Sequence, residues 1–108
     1  MNNEAMLKQL GYAPNEALLN QFDRIVNNTT SFEKIKKHML DLHEHLKVDD
    51  SHVAMSNSED YFKIKIEAPS PERIEEAMEK INHFSAKYKV ALQQVEGKNT
   101  FYILGFNK

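Results

Sequence analysis

The apolar pattern of this chain changes its period at Asp49 and Asp50. Before that point Phe32, Ile35, Met39, Leu42 and Leu46 follow one another at steps of three and four residues, the spacing that lines up side chains along one side of an α-helix. After it, Val53 and Met55 alternate with His52, Ala54 and Ser56, and Phe62, Ile64 and Ile66 alternate with Tyr61, Lys63, Lys65 and Glu67. A period of two belongs to strands with one buried face. A chain that passes from one period to the other within a few residues is α+β; neither a helical bundle nor an all-strand sandwich accommodates it.

The flanking segments extend the same reading. A short helix is expected over about residues 3 to 10, with Met6, Leu7 and Leu10 inward and Gly11 as the left-handed residue that ends it. Pro14 suits the first turn of a second helix, whose apolar residues Leu18, Leu19, Phe22, Ile25 and Val26 recur through about residue 27. The polar run Asn27, Asn28, Thr29, Thr30 stops it. Thr30 and Glu33 then match a capping box, starting a third helix near Ser31 that runs to about Val48. Two heptads are short for a coiled coil, so its stripe is expected to pack on the chain's own sheet rather than on a second helix.

Asn57, Ser58, Glu59 and Asp60 supply the turn of a first hairpin. Ser70 and Pro71 follow as N-cap and first helical residue, with Glu72, Glu75 and Glu76 near the positive end of a fourth helix. Its inner face is Ile74, Ala77, Met78, Ile81, Phe84 and Tyr88. Val90 and Leu92 open another strand, Glu96-Gly97-Lys98-Asn99 turns it, and Thr100 to Phe106 form the last.

Residues 1–108 therefore read as one α+β domain, with an N-terminal helical hairpin over 1–28 and an αββαββ core over 31–108 in which helices pack on a four-stranded sheet. The string αββαββ resembles a ferredoxin-like βαββαβ unit whose first strand has been moved to the end, a circular permutation. The likeness is one of architecture alone.

Composition narrows the chemistry. With no cysteine, thiol catalysis, disulfides and cysteine zinc sites are excluded, and three glycines cannot write a phosphate-cradling loop. Lys and Arg number 14 against 16 Asp and Glu, a formal net charge of -2 that favours no polyanion globally. The amino terminus lacks the basic and apolar regions of a secretory signal, and no run is long enough to span a membrane, so the expected location is cytoplasmic. His38, Asp41 and His45 fall within about 60° of one another on a helical wheel and could donate to zinc. No HExxH signature accompanies them, so the plainer expectation is an exposed flank in which Asp41 pairs with His45 and Glu33 with Lys37. Asp49, Asp50, Glu59 and Asp60 lack calcium-loop spacing and read as solvated turns. No serine sits in a nucleophile-elbow turn. Neither a cofactor nor a metal is called for, and enzymatic activity has no positive support.

The last strand is apolar on both sides. Phe101, Ile103 and Gly105 would face one way and Tyr102, Leu104 and Phe106 the other, whereas a strand with one wet face alternates with polar residues. Something is expected to cover Tyr102, Leu104 and Phe106: the first two helices, a second copy, or a ligand. A protein-interaction module, homodimer or adaptor, is the leading expectation. The alternative is RNA or single-stranded nucleic acid, with Tyr61 and Tyr102 stacking on bases and Lys63 and Lys65 meeting phosphates. A small-molecule sensor is a third class, although no convergent polar set is visible in the sequence.

Overall fold

The computed structural model describes residues 2–107. Helices α1 (Asn3–Gln9), α2 (Glu16–Asn28) and α3 (Phe32–Leu46) come first, and a single 3-10 turn (Lys47–Asp49) leads into strands β1 (Ser51–Met55) and β2 (Phe62–Ile66). Helix α4 (Pro71–Tyr88) and strands β3 (Val90–Gln94) and β4 (Thr100–Phe106) complete the chain. The four strands form one antiparallel sheet in the order β1-β2-β4-β3. The α+β class and the four-stranded sheet stand as expected. The strand order is compatible with the permuted ferredoxin-like string, which remains an analogy of connectivity.

Local chemistry explains most of the helix ends. The Asn2 side chain accepts from the Ala5 amide at 2.8 Å and Asn15 from Leu18 at 2.8 Å, while Ser70 caps α4 by accepting from Arg73 at 3.3 Å. Gly11 takes a left-handed φ of 97° just beyond α1, as its position implied. Pro14, however, precedes the Asn15 cap instead of entering the first turn of α2.

The start of α3 departs further. No capping box forms: Ser31 is the N-cap, is left-handed with φ 51°, and makes no side-chain cap bond. The backbone of Thr30 is already engaged elsewhere. Its N–H donates to the Leu104 carbonyl at 3.4 Å and its carbonyl accepts from the Phe106 amide at 2.8 Å. That ties the α2–α3 linker to β4 as a parallel bridge, beyond the point where β4 pairs with β2. Ser31 must then turn sharply to enter the helix.

One continuous apolar cluster draws on every helix and strand. The α3 stripe lies wholly within it, Phe32, Ile35, Met39, Leu42 and Leu46 all being buried. It packs against Val53, Met55, Phe62, Ile64, Phe101 and Ile103 on one face of the sheet. Helices α1 and α2 join this same side. Phe22 of α2 meets Phe32 and Phe62 edge-on at 6.2 and 5.5 Å between ring centroids. The Tyr12 hydroxyl accepts from the Met55 amide on edge strand β1 at 2.9 Å, and Gln21 donates to the Ser56 carbonyl at 3.0 Å. The amino-terminal helices thus extend the helical layer and leave the opposite sheet face without helical cover.

Candidate functional site

The helix-free face follows from register. Ala54, Lys63, Tyr102 and Gln93 stand opposite one another across β1, β2, β4 and β3, with His52, Lys65 and Thr100 forming the neighbouring row. Directly opposed residues share a sheet face, so all of these point away from the helices. Tyr61 joins them, its ring 5.8 Å from that of Tyr102, and the Tyr102 hydroxyl lies 3.3 Å from Ser58 Oγ. Tyr61, Lys63 and Tyr102 are half-buried and Lys65 is exposed. The four residues proposed to contact nucleic acid are therefore brought onto one surface.

The expected interaction triad does not survive intact. Tyr102 and Leu104 lie on the open face, but Phe106 turns to the helical side. The register between β3 and β4 slips by one residue, Leu92 facing Ile103 while Ala91 faces Gly105, so Leu104 is an extra residue on β4. A bulge of this kind reverses the alternation beyond it. Phe106 consequently stands opposite buried Val90 and packs against the core, with the Lys34 ammonium 4.8 Å above its ring. Gly105 makes the bulge possible with φ 138° and the close approach of Thr30. A strict period of two could not reveal this; the glycine in the middle of an apolar strand was the available signal.

The residues of the open face form a graded surface. Tyr61, Tyr102 and Leu104 stand at its centre, with Ala54 and His52 on β1 to one side and Ala91 and Gln93 on β3 to the other. Charge is concentrated on β2, where Lys65 meets Glu67 at 3.4 Å.

The remaining titratable groups fall in three places. His43 is buried. Its Nδ1 accepts from the Val53 amide at 3.0 Å and its other ring nitrogen donates to the Gln9 carbonyl. Burial, reinforced by Lys47 and opposed by Glu44, holds its pKa below the ordinary value.

Asp49 is not a solvated turn residue either: it is fully buried, and its Oδ2 accepts from Lys80 at 2.7 Å. That hydrogen bond keeps the Asp49 carboxyl below its usual range against the opposing effect of burial. Its Oδ1 has no donor among the described residues. The nearby Glu76 carboxyl is pushed up, first because only its protonated form can donate a hydrogen bond to Asp49 and then by that group's charge. Asp50 and Asp60 behave as exposed turn residues, paired with Arg73 at 2.9 Å and Arg24 at 3.8 Å.

The third place is the seam between α3 and α4. His38, Asp41 and His45 do share a stripe, and α4 sets Lys80, His83 and Lys87 opposite it. Glu33 meets Lys36 at 3.9 Å rather than Lys37. Among the described residues no group of three or more histidine, aspartate or glutamate side chains is placed to hold a metal ion. No described helix is long and apolar enough to cross a membrane. No known protein family, curated protein or solved structure matches the chain.

Proposed function

We propose that this protein is a small interaction module that pairs with a second copy of itself through the helix-free face of its sheet. What carries the reading is an uncovered face whose centre is aromatic and apolar, where Tyr61, Tyr102 and Leu104 stand together. In a two-fold arrangement the same patch meets itself, so these side chains can pack on their counterparts. A formal net charge of -2 imposes little long-range repulsion between copies. Phe106 takes no part.

Sedimentation velocity over a dilution series tests the proposal. Dimers that dissociate on dilution are expected for the native chain, and Leu104→Glu should leave the fold intact by circular dichroism but shift the population to monomer. A native chain that stays monomeric at every concentration would contradict it.

A second reading rests on one observation, the pairing of Lys63 with Tyr102 beside the Tyr61 ring. Aromatic rings interleaved with ammonium groups on an open sheet suit single-stranded RNA or DNA. The Lys65–Glu67 pair and the exposed Glu59 and Asp60 nearby oppose a phosphate backbone, which places this reading second. Its test is anisotropy of a labelled single-stranded oligonucleotide. Binding that weakens with salt and is lost in Lys63→Glu, Lys65→Glu would favour nucleic acid over self-pairing.

A further inference from the structure

On the opposite side of the molecule, away from the open sheet face, α3 and α4 run past each other and leave a cleft with a cavity volume of about 260 Å³. Buried Leu42 and Phe84 line its apolar part. Each rim comes from one helix: His38, Asp41 and His45 from α3, and Lys80, His83 and Lys87 from α4. One end is fixed by the His38 ring stacked on Tyr88, with centroids 3.6 Å apart and planes 9° from parallel. At the other end Lys80 donates to the His45 carbonyl at 3.1 Å and to Asp49 at 2.7 Å. The Lys87 ammonium sits 5.5 Å from the Tyr88 ring centroid.

These groups do not converge as metal ligands do. Three imidazoles and two ammonium groups, with Asp41 as the one carboxylate among the lining residues, instead make a cleft rich in hydrogen-bond donors. Asp49 holds Lys80, which leaves the Lys87 ammonium and the imidazole N–H groups as donors to a ligand. Phosphate oxygens accept from such groups, and the bond from an ammonium is charge-assisted. We infer that the α3–α4 cleft is a binding site for a small phosphate-bearing anion. Ring nitrogens of His45 and His83 and the Lys87 ammonium supply donors, and Leu42 and Phe84 accommodate an apolar portion.

Isothermal calorimetry of the full chain with inorganic pyrophosphate is the test. The expected result is one saturable site per chain. The exposed double substitution His83→Gln, Lys87→Gln should abolish it, and Lys98→Gln, on the β3–β4 turn, should not. Absence of saturable binding, or binding that persists in the double variant, would each overturn the inference.

Discussion

Gly105 concentrates the geometry of the β4 bulge in a single residue. A Cβ built there would lie 2.5 Å from the Thr30 amide nitrogen and 2.8 Å from its carbonyl oxygen, and φ is 138°. Both objections are to backbone, which cannot swing aside as a side chain could. Gly105→Ala is therefore expected to cost about 2 kcal/mol or more, read as a lower urea midpoint, and to release the Thr30 bridge. His43 makes a second residue-scale prediction. Nδ1 can accept from Val53 only while unprotonated, and the folded pKa is depressed, so its contribution is complete above the unfolded value of about 6.5. It is lost as pH falls through the folded value. Denaturant midpoints should fall from pH 7.5 toward acid, with a shallower slope in His43→Gln. Glu76 has the opposite sign. Its raised pKa means that its favourable contribution exists below the unfolded value and disappears as pH rises through the folded one. Glu76→Gln keeps a donor beside Asp49 at every pH and should raise the melting temperature at pH 7.

At the scale of elements, the helices and hairpins were legible because their signals are local. The α3 stripe, the Ser70 cap with Pro71, and the alternation of Phe62, Ile64 and Ile66 each lie within one segment. What escaped was set by contacts between segments. The Thr30–Glu33 capping box is sound in isolation, yet strand β4 takes the backbone of Thr30. Buried Asp49 depends on Lys80, 31 residues away. The candidate site divides along the same line. Tyr61, Lys63, Lys65 and Tyr102 fell where alternation placed them, and Phe106 did not because a bulge intervenes. The α4 rim of the helical cleft has no signature near His38, Asp41 and His45. Edge strand β1 offers an element-scale test. Its Met55 amide is satisfied by the Tyr12 hydroxyl, so Tyr12→Phe should cost about 1 kcal/mol and speed amide exchange at Met55 relative to the centre of β2.

For the whole molecule, the decisive fact is allocation. Four helices serve one sheet face through one core, and the last strand still presents Tyr102 and Leu104 on the other. Removing a central contact of the helical layer should therefore be felt throughout. Phe22→Ala removes the ring packed edge-on against the stacked pair Phe32 and Phe62 and is expected to cost about 3–5 kcal/mol, measured by chemical denaturation. The open face is a different matter, since its residues are free to serve contact between molecules. Amide chemical shifts followed through a dilution series of the native chain test this most directly. Concentration-dependent shifts confined to Ala54, Tyr61, Lys63, Ala91, Tyr102 and Leu104 are predicted. Shifts that stay constant on dilution, or that map to the outer surfaces of α1 to α4, would contradict it.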